Sequence, residues 1–146
     1  LGATPARLFD VEPRIAMLSF SSFGSVSHPD AARVAEAVTK VQQRRPELIV
    51  DGEMHLDTAV VEEIVRENSP PSRIKGDANV LIFPNLAAGN IGYKLVHRLG
   101  RAESIGPILM GMAKPVAALQ HGTTVGDIVN LAAINAVMVD MDAPAR

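Results

Sequence analysis

The chain reads as α/β, three layers of helix, sheet and helix around a mostly parallel sheet, and three observations carry that reading. Short apolar runs alternate with segments of helical period along the sequence. The core vocabulary is Val, Ile, Leu, Met and Ala, with 3% aromatics and no tryptophan, which suits helices packed on a parallel sheet. With 146 residues, 47% of them apolar, the chain can bury one sizeable core and falls within the usual range of a single domain or a piece of one.

Arg14 to Phe20 is a candidate buried strand, and Ser21 to Ser27 a loop leading into a helix from Pro29 to Arg45. Pro29 suits a first helical turn. Ala31, Val34, Ala35, Val38 and Val41 recur at helical spacing, with Arg33, Glu36, Lys40 and Arg44 on the other face. Glu47 to Val50 is a short strand stopping at Asp51-Gly52. Asp57 can cap a helix whose apolar face carries Val60, Val61, Ile64 and Val65 and which ends over Asn68 to Pro71.

Asn79 to Phe83 is the next strand. Pro84 forbids a further ladder bond and turns the chain through a loop holding Gly89-Asn90 into a helix around Gly89 to Leu99. Pro107 to Met112 is apolar enough for a buried strand, and Val116 to Leu119 starts a short helical or turn segment. Thr124 is the expected N-cap of a last helix over Val125 to Val139, where Ile128, Leu131, Ala132 and Ile134 keep near-helical spacing. No internal repeat or low-complexity segment interrupts this order.

Composition narrows the function classes. A net charge of −2, with no basic run interleaved with aromatics, argues against a nucleic-acid partner. Cysteine is absent, which excludes disulfides, thiolate nucleophiles and cysteine metal sites and fits a cytoplasmic protein. The apolar stretches, such as Ile105 to Ala113, are too short or too glycine-broken to span a bilayer, and no charged-then-apolar leader opens the chain. A soluble protein with no membrane partner is expected.

Ligands of open α/β sheets sit beyond the carboxyl ends of the strands. Ser19 to Ser25, Asp51 to Asp57, Pro84 to Asn90 and Gly111 to Pro115 occupy that position. The first, with Ser21, Ser22, Gly24 and Ser25, is a reasonable oxyanion or phosphate cradle, but on the residues alone an ordinary strand-to-helix turn is the favoured reading. Asp51, Glu53, His55 and Asp57 have the alternation of a metal cluster, but no second cluster completes the coordination, so a hydrogen-bonding loop is favoured and no metal is expected. Gly89-Asn90-Ile91-Gly92 matches neither the dinucleotide fingerprint nor the Walker motif. Lys94, His97, Arg98 and Arg101 follow at helical spacing, and such a basic face is more often solvated than ligand-binding.

A longer series of motifs is more specific. Leu18-Ser19-Phe20-Ser21 with Gly24-Ser25, Asp51-Gly52-Glu53, Asp57 with Ala59, Ala78-Asn79-Val80, the block from Phe83-Pro84 to Lys94, Gly106-Pro107, Ala113-Lys114-Pro115 and Asp127-Ile128-Val129 together resemble the phosphate acetyl/butyryl transferase family from Arg14 to Val139. The resemblance implies the later part of a phosphotransacetylase-like fold, related to that of the isocitrate and isopropylmalate dehydrogenases: two α/β lobes around an acyl-CoA cleft, assembled as a homo-oligomer. The chain is shorter than such a domain, which implies a fragment. In active members an aspartate takes the CoA thiol proton, the thiolate attacks acetyl phosphate, and a Ser-Arg pair stabilises the developing charge. Asp127 matches the aspartate, whereas Gln120 and His121 stand where the Ser-Arg pair is expected. Phe23 replaces a lysine of the first serine loop. Ligand contacts are expected at Ser21, Ser22, Gly24, Ser25, Asn90, Lys94 and Lys114.

Ser-Phe-Gly-Ser around Phe23, together with Asp51-Gly52-Glu53-Met54-His55, most resembles the transferase-like tail of bacterial NADP-dependent malic enzymes. That implies a non-catalytic segment for acetyl-CoA-dependent regulation and oligomerisation. Malate oxidation, NADP and a divalent metal, Mg or Mn, would then belong to upstream malic-enzyme domains. The alternative is a phosphate acetyltransferase moving acetyl between acetyl phosphate and CoA, with Asp127 as base.

Overall fold

The computed structural model describes residues 2–68 and 72–142, and the chain falls into two compact units, Gly2–Gly92 and Tyr93–Arg146. The first unit holds α1 (Ala3–Leu8), β1 (Arg14–Leu18), α2 (Pro29–Arg44), β2 (Ile49–Met54), α3 (Leu56–Val60), α4 (Glu62–Asn68) and β3 (Val80–Ile82). Helix α5 (Leu86–Arg98) begins in it and ends in the second.

The sheet of the first unit has the order β2-β1-β3, with both pairs parallel. Ile15 of the central strand stands opposite Val50 on one side and Val80 on the other. Because successive side chains leave a strand on opposite faces, β1 feeds two cores. Ala16 and Leu18 join Met54, Ala59 and Ile74, while Ile15 joins Ala3, Leu48 and Val50. Burial on both faces explains why β1 reads as a continuous apolar run. Helix α2 buries Ala31, Val34 and Val38 along the predicted face, and Pro29 sits at its start. The α/β class and the parallel sheet are as the sequence predicts.

Three boundaries in this unit differ for local reasons. Strand β2 does not stop at Asp51-Gly52 but runs on to Met54. Gly52 takes a φ of 136°, open to glycine and strained for other residues, and a Cβ there would stand 2.5 Å from the Met17 carbonyl oxygen. Pairing goes from Met17 with Gly52 straight to Leu18 with Met54, so Glu53 is an extra residue of a bulge. Asp57 does not cap the following helix: His55 precedes it, and the Asp57 carboxylate accepts from the Thr58 N–H instead. That helix is broken in two, because Val61 is extended at φ −125° and ψ 111°. The end expected over Asn68 to Pro71 lies outside the described residues beyond Asn68.

The third boundary is the start of α5 at Leu86, so Gly89-Asn90 lies within the helix and not in a loop. Asn85 caps it, its Oδ1 accepting from the Ala88 N–H at 2.9 Å. Gly89 and Gly92 face the Phe83 ring, and a Cβ on Gly92 would meet it at 2.8 Å. Gly92→Ala is therefore expected to destabilise the first unit by about 1–3 kcal/mol, despite alanine's better helix propensity. The urea unfolding midpoint checks this.

In the second unit β4 (Ile108–Leu109) pairs antiparallel with β5 (Val116–Ala117), and α6 runs over Val125–Asp142. The strand expected over Pro107 to Met112 is thus shorter and lies outside the parallel sheet. Val116, read as the start of a helical or turn segment, is in a strand. The connection Met110–Pro115 is a tight turn with Gly111 at φ 84°, too short for the crossover that a parallel pair demands. On α6, Leu131 and Ile134 are buried.

Candidate functional site

The loop from Ser19 to Val26 leaves the carboxyl end of β1, where the sheet topology places ligands. Its order comes from β2. The bulge turns Glu53 towards the loop, and the carboxylate, 3% exposed, accepts at Oε1 from the Ser21 hydroxyl at 2.8 Å and the Gly24 N–H at 2.7 Å. The Phe23 N–H donates to the Glu53 carbonyl at 2.8 Å, with Phe23 at φ 50° and Gly24 at φ 82°. Val26 donates to the buried Ser21 hydroxyl, Ser22 to the Ser25 hydroxyl, Ser25 to the Ser22 carbonyl and Ser21 to the Ser19 hydroxyl.

Every backbone N–H from Ser21 to Val26 is therefore spent inside the loop or on Glu53. Two of the loop's donors, the Ser21 hydroxyl and the Gly24 N–H, meet on the Glu53 carboxylate, and the rest bond serine hydroxyls or backbone carbonyls. What Ser22, Gly24 and Ser25 present outward is hydroxyl and Cα surface. Beside the loop lies an open cavity of about 640 Å³, lined among others by Phe23, Val26, His28, Ala31, Ala35 and Glu53.

The other polar residues of β2 and its exit each have their own partners. Asp51 Oδ2 accepts from the Ser72 hydroxyl at 2.9 Å and the Arg73 N–H at 2.7 Å. His55 donates its Nε2–H to the Phe20 carbonyl at 2.8 Å and its backbone N–H to the Ser22 hydroxyl at 2.9 Å. Together, Glu53 and His55 hold the serine loop from Phe20 to Gly24. Among the described residues no group of three or more His, Asp or Glu could hold a metal ion. Asn90, on α5, is exposed.

In the second unit Asp127 sits in the first turn of α6 and forms a reciprocal cap with Thr124. Its Oδ2 accepts from the Thr124 N–H and hydroxyl, both at 2.8 Å, and its own N–H donates back to the Thr124 hydroxyl at 3.2 Å. The Oδ1 atom has no partner among the described residues. The Thr124 N–H first, then its hydroxyl, and the nearby charge of His97 hold the Asp127 carboxyl below the ordinary carboxylate value. Depression of a carboxyl gives stability that is full above the unfolded value, about 3.9, and lost as pH falls through the lower folded value. Thr124→Val removes the hydroxyl donor, so the Asp127 inflection in a carboxyl-carbon NMR titration is expected to move up towards the ordinary value.

Gln120 and His121 are exposed and open the turn that leads to this cap, with the Gln120 N–H donating to the Thr123 hydroxyl at 2.9 Å. Helix α5 supplies the charge around it. Lys94 Nζ lies 5.2 Å from the Tyr93 ring centroid, and the Tyr93 phenol is lowered by the Lys94 ammonium, the Gln120 side chain and the charge of Arg98. His97 donates its Nδ1–H to the Ala102 carbonyl at 2.9 Å, which leaves Nε2 unprotonated in the neutral ring. The basic face of α5, which sequence alone does not distinguish from a solvated one, thus reaches the Gln120–Asp127 segment. Lys114 is exposed in the turn between β4 and β5.

The family model for phosphate acetyl/butaryl transferase matches residues 2–136. The chain belongs to that family. It is 49% identical over 134 residues to a phosphate acetyltransferase of Bacillus subtilis, covering 92% of this chain and 42% of the relative. A phosphate acetyltransferase of Clostridium acetobutylicum is 47% identical, with 92% and 40% covered. The crystal structure of a phosphotransacetylase from Streptococcus pyogenes superposes with a TM-score of 0.92 at 43% identity, over 97% of this chain and 43% of that one. The chain therefore spans about two fifths of the length of the curated relatives it matches.

These findings correct the finer expectation. The relatives named above match nearly the whole chain and are phosphate acetyltransferases, which overturns the reading as a non-catalytic tail of a malic enzyme, and the oxidoreductase chemistry and NADP that came with it fall too. No helix among the described residues is long and apolar enough to cross a membrane.

Proposed function

We propose that the protein carrying this chain moves an acetyl group between acetyl phosphate and the thiol of CoA, with Asp127 as the base. The observation that carries the reading is the Asp127 carboxylate: ionised, capped at Oδ2 and open at Oδ1, at the family position of the thiol-proton acceptor. Names of close relatives agree with it, since those matching 92% of the chain are phosphate acetyltransferases.

The proposed step balances simply. The CoA sulfur bonds to the acetyl carbonyl carbon, the thiol proton passes to Asp127 Oδ1, and the carbon–oxygen bond to phosphate breaks. Phosphate leaves with the electron pair and takes the proton from Asp127. An ordinary thiol has a pKa near about 8.5 and an ordinary carboxyl near about 3.9, and Asp127 is held lower still. Full deprotonation of the thiol before attack is therefore uphill, and proton transfer belongs with carbon–sulfur bond formation, as the sulfur becomes acidic. Lys94 and Arg98 supply positive charge beside Gln120, where a Ser-Arg pair would otherwise face the phosphoryl oxygens.

Phosphate-dependent loss of the acetyl-CoA thioester, measured in the full polypeptide with butyryl-CoA as a parallel arm, tests this reading. Faster loss of acetyl-CoA supports it. A thioester that survives phosphate unchanged in both arms contradicts it.

A further inference from the structure

Glu53 is a buried carboxylate that the proposed reaction does not use, and among the described residues no cation pairs with it. Taking a charge out of water is costly unless hydrogen bonds replace the lost solvent. Here the replacement comes from the serine loop, through the Ser21 hydroxyl and the Gly24 N–H on Oε1. Phe23 and Gly24 of that loop adopt positive φ, and their N–H groups donate to the Glu53 carbonyl and to its carboxylate respectively. The carboxylate stands on the extra residue of the β2 bulge.

We propose that Glu53 is the positioning residue of the serine loop, a buried carboxylate that ties the Ser21 hydroxyl to the Gly24 N–H and so fixes the face bearing Ser22, Gly24 and Ser25. Glu53 also lines the cavity beside the loop, and its Oε2 has no hydrogen-bond partner among the described residues. The substrate side of the loop is then set by a carboxylate and admits hydroxyl-mediated contacts, while the backbone donors remain closed to phosphate. The placement rests on hydrogen bonds alone; only its catalytic consequence rests on the acetyl-transfer reading.

The test uses Glu53→Ala and Glu53→Gln in the full polypeptide, with sodium formate as an exogenous carboxylate and sodium chloride at equal ionic strength as control. Glu53→Ala is expected to speed amide hydrogen exchange at Gly24 and Val26 by about tenfold or more, and formate, not chloride, is expected to slow it again. Glu53→Gln keeps an acceptor at Oε1, so its loop exchanges at an intermediate rate and does not respond to formate. In the transfer assay Glu53→Gln raises KM for at least one substrate by about tenfold while kcat stays within about threefold, the pattern of lost uniform binding.

Loop exchange at the wild-type rate in Glu53→Ala, or exchange indifferent to formate, overturns the proposal. Should Glu53→Ala fail to fold, wild-type exchange together with wild-type KM in Glu53→Gln overturns it. Formate-sensitive exchange in a protein whose wild type transfers no acetyl group sustains the role of Glu53 in the loop and removes the acetyl-transfer reading instead.

Discussion

The double variant Gln120→Ser, His121→Arg is expected to form acetyl-CoA about 10²–10³ times faster than the wild type, the effect of adding a positioned donor to a developing oxyanion. Gln120 and His121 are exposed at the start of the turn, and the turn itself is held by the Thr123 hydroxyl, which both accepts from Gln120 and donates to it. Both side chains can therefore be exchanged without disturbing the backbone that leads to Asp127. A serine hydroxyl is a compact donor, and a guanidinium is a permanent planar cation that grips phosphate at two points. Neutral histidine offers neither charge nor fork. Initial rates at saturating CoA measure the effect, and a variant no faster than wild type means that Lys94 and Arg98 already meet the full electrostatic need.

The second large effect is a loss. Asp127→Asn is expected to slow acetyl transfer by about 10²–10⁴, the range over which a positioned general base contributes. The amide oxygen of asparagine can still accept from the Thr124 N–H and hydroxyl, and the backbone N–H at position 127 still donates to that hydroxyl, so the reciprocal cap persists and folding is preserved. The amide cannot accept a thiol proton. Wild-type activity in the variant, with an unchanged melting temperature, would assign the base elsewhere. The acid limb of the wild-type pH–rate profile carries the same information. It is expected below the ordinary carboxyl value, because the cap and His97 hold Asp127 ionised there.

Much of the first unit is legible in the sequence because single residues announce it. Pro29 opens α2, Val34 and Val38 mark its buried face, and the apolar run of β1 betrays a strand covered on both sides. The continuation of β2 is hidden by Gly52, which reads as a stop yet pairs with Met17, the bulge falling on Glu53 before Leu18 pairs with Met54. Gly89-Asn90 suggests a turn and so puts the start of α5 three residues late, whereas the helix runs through it and Gly92 lets the Phe83 ring approach. The Asn85 cap behind Pro84 was the signal that could have placed its start.

The site was readable in part for a similar reason. Asp127 and its Thr124 cap lie within one helical turn, so their spacing carries the geometry. Glu53 acts on Gly24 from 29 positions away, and no local pattern marks it as the partner of a serine loop. Its place after a glycine at a strand end was compatible with a metal cluster until the bulge showed where it turns. Likewise the basic face of α5 gains meaning only when Tyr93 and Gln120 are found side by side.

The most direct measurement follows thioester and phosphate together when the full polypeptide is given acetyl phosphate and CoA. Acetyl transfer through Asp127 requires both products to appear in equal amounts, only when both substrates are present, and to fail together in Asp127→Asn. A wild-type protein that yields neither product above the uncatalysed rate contradicts it.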